Sequence, residues 1–473
     1  MRIAQILIFI AAILVSRTVL EDRLFKWALF LISLFSIYWF QPVSPIRNLD
    51  FWLPTITVLL IIISWRTIYK ETPIERESYY ALVAIMIFLL TNGGVGFLGI
   101  TLLQSVVTSP GFLSVSITAL FAVLSILLIT KLPAKRELFS FIIIAILLLF
   151  ILLKSNFLAT QASRLIRGIN GQLASLANSS EITWVGYSYF SFRLLHTLID
   201  RQRVKELNLS LREYFTYLVF FPAYIAGPID RVEHFSSQLR EKLSGFHKGD
   251  LLDGIVRITR GIFFKFILAD SLALFSLNAQ SVGLIESTRW AWLIVYGYAF
   301  RIFMDFAGYT DIAIGLGRLA GIRLPENFNK PYASKNVTLF WNNWHITLTQ
   351  WFRTYYFNPV TRFLRSRFGQ LKPWLIILGT QMTTMVLIGL WHGISWNFVI
   401  WGIWNGLGLF IHNRWSSVVL PKLEKIRQIL DSKAIRAFSI FLTFNYIALG
   451  WVWFALPSPQ HSIVILKILM GFS

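Results

Sequence analysis

Apolar residues fill this chain in long runs that neither alternate nor confine themselves to one helical face. Residues 78–130 and 373–413 contain no Asp, Glu, Lys or Arg. A spanning helix takes about 20 predominantly apolar residues, so each run is long enough for two spans. The first part of the chain reads as spans near 3–16, 27–42, 51–65, 78–102, 113–130, 137–153 and 182–199. The stretch Ile6 to Val15 has the length of a signal peptide. It lacks a small-residue cleavage site and runs into further apolar sequence, which predicts a retained first helix. After residue 200, charges such as Arg231, Glu233, Arg240, Arg257, Arg260 and Lys265 interrupt the apolar sequence every few positions. That texture predicts amphipathic helices lying in the interface or re-entering from it. Beyond 373–413, residues 437–456 give one full span and 460–472 a marginal one. No internal repeat suggests inverted halves.

Composition fixes the solvent. The 473 residues are 56% hydrophobic and 14% charged, with 18 Trp and 41 Phe. A soluble domain cannot hide that much apolar surface, so the chain reads as an all-α polytopic membrane protein of about 11–13 spanning or re-entrant helices. The net charge of +21 does not indicate nucleic acid, because the basic residues punctuate the apolar runs instead of forming one block. Lys and Arg mark cytoplasmic loops. The odd-numbered connections among the first seven spans carry thirteen of them and the even-numbered ones four, which predicts an extracytoplasmic N-terminus. Cysteine is absent, so neither thiol chemistry nor a disulfide framework is available.

Chemistry is then left to residues in unusual places. Phe221-Pro-Ala-Tyr-Ile-Ala-Gly-Pro-Ile-Asp230 puts two prolines and a glycine in apolar sequence. It reads either as a turn between spans or as irregular backbone at membrane depth, satisfied by protein or a wet cavity. Arg301, Asp305, Asp311 and Arg318 lie in the apolar region 290–320. Arg301 and Asp305, four apart, are expected to neutralise each other on a helix. Leu324 to Tyr332, with two prolines, breaks that helix. Among seven histidines, His234 and His247 lie among charges, His412 and His461 at span ends, and His196 in a span as a packing residue. His392 sits mid-way through the chargeless run 373–413, between Gly389 and Gly393, where a simple hairpin places it near one surface and broken helices place it deeper. Desolvation favours the neutral ring, and a neutral imidazole can take a proton from a hydroxyl. The alternative is a histidine bonded between helices. His345 stands with Trp341, Asn342, Asn343 and Trp344, either to orient a substrate or as part of an aromatic belt. No carboxylate recurs at ligand spacing beside either histidine, so no metal is expected.

Together these motifs resemble the membrane-bound O-acyltransferases, in the bacterial branch that includes alginate O-acetyltransferase. The likeness is dense from about 137 to 412. It rests on Ile225-Ala-Gly-Pro-Ile-Asp230, Met304 to Gly317, Arg323-Leu-Pro-Glu-Asn-Phe-Asn329, Phe340 to Leu348 with Trp351-Phe-Arg353, and Gly389-Leu-Trp-His-Gly393 with Trp396 and Gly402. The first 135 residues match in hydropathy alone. The resemblance implies three parts: N-terminal helices to 135, a catalytic core at 136–412, and a basic loop with C-terminal helices at 413–473. It implies a ring of tilted and broken helices around a tunnel. The family's invariant histidine falls on His392, and its second histidine-or-asparagine position on His345. His392 is then the expected base, His345 positions or polarises a thioester, and Asn342, Asn343, Trp344 and Trp391 are expected at the substrate. Two departures weaken transfer of the alginate substrate itself: Thr354 stands where alginate enzymes have Asp, and Asn405 where a further histidine is often found.

The activity so implied moves a short acyl group, acetyl, from a cytoplasmic thioester (acetyl-CoA or an acyl carrier) to a hydroxyl of an exported polysaccharide. No cofactor is permanently bound. The acyl group passes directly or through an extracytoplasmic partner of the SGNH hydrolase-like type, and the protein resides in the bacterial plasma membrane. D-alanyl transfer to teichoic acid is the nearest alternative. A glycan transporter or a secretion scaffold is the rival from another class.

Overall fold

The computed structural model describes residues 1–98, 110–111, 113–118, 120, 136–243, 248–285, 287–422 and 432–472. The expected span 113–130, the end of the one at 78–102, and His247 lie wholly or partly outside them. No strand occurs among the described residues, where extended pairing is limited to an isolated bridge between Phe328 and Trp344. Leu49–Ile68, Glu137–Lys154, Pro373–His392 and Lys433–Ala455 are each long and apolar enough to cross a membrane. The chain is an all-α, multi-pass membrane protein. The expected spans at 3–16 and 27–42 are the helices Ile3–Val19 and Asp22–Trp39. The expected span 182–199 is helical only over Tyr187–Ile199, preceded by single 3-10 turns. At 1.5 Å per residue that helix reaches about 20 Å, short of the roughly 30 Å hydrocarbon core.

Contacts divide the chain into two compact units. The first comprises residues 1–258 and 312–324. Within it, connections of like parity meet. Ser44, Pro45 and Arg47 of the second connection bond Glu181 and Gln172 of the sixth. Glu71, Glu75 and Glu77 of the third reach Lys205, Asn208 and Arg212 of the seventh. Alternate crossing of a bilayer requires this sorting. Arg17, counted by sequence as a loop charge, is instead buried: it donates to Leu243 O (2.7 Å) and to Leu319 O (2.6 Å), among the last carbonyls of helix Thr288–Leu319. The irregular segment 221–230 is buried in protein. Arg193, 2% exposed, donates to the carbonyls of Leu218, Ala223 and Pro228 (3.3, 2.9 and 3.0 Å), supplying partners that a helix would have provided.

A second ion-linked corner holds helix Asn156–Ile169. Arg167 pairs with Glu181, which also accepts from Ser163 Oγ at 2.5 Å. The Arg167 guanidinium pulls the Glu181 carboxyl down to about 2, against about 4.3 in an unfolded chain. The stabilisation is therefore complete above the unfolded value and is lost as pH falls through the folded one. Circular dichroism melts of the solubilised protein should show wild type losing melting temperature between about pH 5 and 2, and Glu181→Gln, less stable at pH 7, falling less over the same interval.

The second unit comprises residues 259–311 and 325–473. Its centre is an antiparallel hairpin of Pro373–His392 and Trp396–Arg414, joined by three residues. Gly402 lets the helices touch: a Cβ there would lie 2.6 Å from Val386 Cα and 2.7 Å from Met385 O. The intramembrane charges pair between helices, not along one. Asp305 binds Lys265, Asp311 binds Arg260 at 2.6 Å, and Arg301 donates to Ser276 Oγ at 2.9 Å. The expected Arg301–Asp305 pair does not form, because the neighbouring helix offers Lys265 to Asp305.

Candidate active site

His345 lies outside the four spanning helices, immediately before the short helix Ile346–Phe352, with its backbone in the left-handed region (φ 44°, ψ 54°). That turn swings its ring into protein, leaving it 3% exposed. Its Nδ1 is 3.1 Å from Asn327 Oδ1, which also accepts from Thr347 N (3.3 Å) and Thr347 Oγ1 (2.8 Å). A backbone N–H can only donate, so the atom facing Thr347 and His345 is the amide oxygen. The His345 Nδ1 must then carry hydrogen. Burial pushes the ring's pKa down, so the imidazole is neutral and its lone pair resides on Nε2.

His392 closes helix Pro373–His392. Its ring packs among Trp391, Phe398, Trp401 and Phe454, with centroids 4.4 to 6.0 Å away. Trp391 also meets the His345 ring at 6.0 Å, so one indole touches both imidazoles. Both histidines line a single cavity of about 40 Å³, walled by Phe306, Trp344, Trp451 and Phe454. This space is enough to hold a water-sized group such as a reacting hydroxyl.

Trp341 and Ile388 also line a second cavity of about 300 Å³. It continues past Thr384 and Gln381 on one hairpin helix and reaches Arg353, His412 and Asn413. Those last residues lie towards the hairpin end that carries Arg365, Arg367, Lys372 and Arg414. From that end to His392 helix Pro373–His392 has 20 residues, about 30 Å. The histidine cavity therefore sits at the far end of the hairpin from the basic residues.

The structure brings His345, His392, Trp344 and Trp391 together. It does not bring Asn342 or Asn343 to the histidine cavity. Asn342 lines the larger cavity and accepts from Arg353 at 2.7 Å, while Asn343 donates to Ser334 Oγ at 3.2 Å. Both asparagines lie on helix Val337–Asn343, and the left-handed turn at His345 breaks the alignment that sequence adjacency suggests. Asn405 Oδ1 accepts from Trp341 Nε1 at 3.3 Å, fixing a wall shared by both cavities. His412, at a span end, accepts or donates through Nδ1 to Thr338 Oγ1 at 2.8 Å. Asn327 and Arg353 were missed as site residues although both lie in noted motifs; what marks them is a tertiary contact.

The model of the MBOAT, membrane-bound O-acyltransferase family, matches residues 137–453, well over half of the chain. The chain belongs to this family. It is 30% identical over 289 residues to a teichoic acid D-alanyltransferase of Streptococcus thermophilus, covering 58% of this chain and 69% of the relative. It is 31% identical over 266 residues to a peptidoglycan O-acetyltransferase of Helicobacter pylori (55% and 47%). A probable alginate O-acetylase of Azotobacter vinelandii is 32% identical over 271 residues (57% and 50%). The chain thus spans about half the length of the latter two. The MBOAT match begins at 137, where the resemblance starts, and runs to 453, past the expected core boundary at 412. It takes in Trp451, which lines the histidine cavity.

Proposed function

We propose that the protein transfers a short acyl group, acetyl, from a cytoplasmic thioester of coenzyme A or an acyl carrier to a hydroxyl of an extracytoplasmic polysaccharide, directly or through an SGNH hydrolase-like partner. The observation that carries this reading is the pair of adjoining cavities. A larger one leads from the basic end of the hairpin, and a smaller one beyond it is lined by two imidazoles. The protein is proposed to reside in the bacterial plasma membrane, and the excess of Lys and Arg on odd connections supports an N-terminus outside.

His392 acts as general base. It takes the acceptor hydroxyl proton as the oxygen attacks the thioester carbon, the C–S bond breaks, and the proton passes to the departing thiolate. Polarising the thioester carbonyl needs a hydrogen-bond donor, which the Nε2 of this His345 tautomer is not. His345 therefore accepts a hydrogen bond from the acceptor and orients it. Asn327 positions His345: Asn327→Ala should lower turnover about 10²-fold, the scale of a misplaced group, with Asn327→Asp recovering part of it through its retained acceptor oxygen. Initial rates at matched protein level test this, and equal rates in wild type and Asn327→Ala remove Asn327 from the mechanism.

D-alanyl transfer is the second reading, favoured by the coverage of the Streptococcus thermophilus relative. Proteoliposomes given labelled acetyl thioester or labelled D-alanyl carrier outside, with glycan acceptor inside, separate the two. Label on the acceptor from acetyl donor only is the expected result. Label from the D-alanyl donor only reverses the assignment, and label from neither overturns acyl transfer.

A further inference from the structure

The first unit holds a polar pocket that the reaction does not use. Thr67, Lys70 and Glu71 border it from the end of helix Leu49–Ile68, Phe139 from the start of Arg136–Lys154, and Arg201 and Lys205 from the short helix Arg201–Glu206 that follows Tyr187–Ile199. Its volume is about 160 Å³. All three borders belong to odd-numbered connections, so the pocket lies on the face that positive charge assigns to the cytoplasm.

Its charges are unevenly spent. Glu71 pairs with Lys205. Lys70 and Arg201 form no ion pair among the described residues, leaving two cations over one neutralised couple. Arg201 is held in place by the Phe139 ring, 4.6 Å beneath its guanidinium carbon. Below Phe139 runs Glu137–Lys154, of which 17% is buried in the chain. Phe141, Ile144 and Leu148 stand exposed along it, an apolar track suited to lipid chains. A fixed guanidinium and an ammonium at an interfacial mouth, above such a track, match a phosphodiester with its acyl chains.

The geometry points to this pocket as a binding site for the phosphate of an anionic phospholipid of the cytoplasmic leaflet, held by Lys70 and Arg201. A pocket placed between helices on the positively charged side suits an anionic headgroup, and Arg matches phosphate geometry bidentately. The lipid would tie the third, sixth and seventh helical segments of the first unit together, far in sequence from His345 and His392.

Native mass spectrometry of the full chain, released from nanodiscs of phosphatidylglycerol mixed with phosphatidylcholine, tests the site. Wild type should retain phosphatidylglycerol over phosphatidylcholine, and Lys70→Gln/Arg201→Gln should lose at least about tenfold of that preference, the scale of one or two charge contacts. Arg201→Lys, which keeps the charge, should retain part of it and remains readable if the double variant does not fold. Melting temperature should rise with added phosphatidylglycerol in wild type and not in the double variant. Equal retention of phosphatidylglycerol by the wild type and both variants overturns the site. A melting shift of wild type by millimolar inorganic phosphate that also displaces the lipid overturns the lipid as its occupant and leaves a soluble phosphate site.

Discussion

His392→Ala should lower acyl transfer by about 10²–10⁴-fold, the usual share of a general base, while the protein still reaches the membrane. The ring lies at the end of its helix and is walled by Trp391, Phe398, Trp401 and Phe454. The loss should appear in turnover and not in the amount of protein. Ester content of the surface glycan, at matched membrane levels of wild type and variant, is the measurement. Disappearance of the esters with normal glycan export places the chemistry at His392. Unchanged esters with export lost on deletion of the gene would show a transporter instead. His345→Ala makes the companion variant: it should reduce esters too, because it removes the lone pair that orients the acceptor.

The second large effect concerns folding. Gly402→Ala should cost several kcal/mol, at or above the 1–3 kcal/mol typical of overpacking, because the added carbon would meet Val386 Cα and Met385 O, both backbone. Backbone inside a helix hairpin cannot step aside as a side chain does. The helices must separate, and that separation reaches both cavities, since Met385 lines the larger one and Ile388 lines both. Gly379→Ala is the matched control on the partner helix, with nothing within 4 Å of the new carbon; it should be neutral or stabilise by about 0.5–1 kcal/mol. Melting of the two solubilised variants beside wild type decides it. Equal melting temperatures for Gly402→Ala and wild type would mean that the hairpin is not held at this contact.

Much of this was legible in the sequence because lipid enforces simple rules. Chargeless runs had to be helices, and connections of one parity had to meet. What escaped was whatever depends on a neighbour far along the chain. The i, i+4 spacing of Arg301 and Asp305 suggested one pair, yet Lys265, on another helix, takes the carboxylate. Asn342 and Asn343 were expected at the substrate with His345, and the turn at 345 places them away from the histidine cavity. Asn327, eighteen residues upstream, sets the tautomer of that histidine, and no local pattern announces it. Arg193 is the scaffold of a loop 25 to 35 residues later, another contact that no local pattern announces.

His345 has a further consequence through its backbone. A β-carbon in left-handed geometry costs roughly 1–2 kcal/mol that glycine does not carry, and asparagine tolerates the geometry better than most. The position is thus a spring held bent by the hydrogen bonds of Asn327 and Thr347. Glycine is the replacement that stability alone would favour there. The same spring warns against engineering by thermal selection, which would reward the loss of this side chain before it rewarded anything useful.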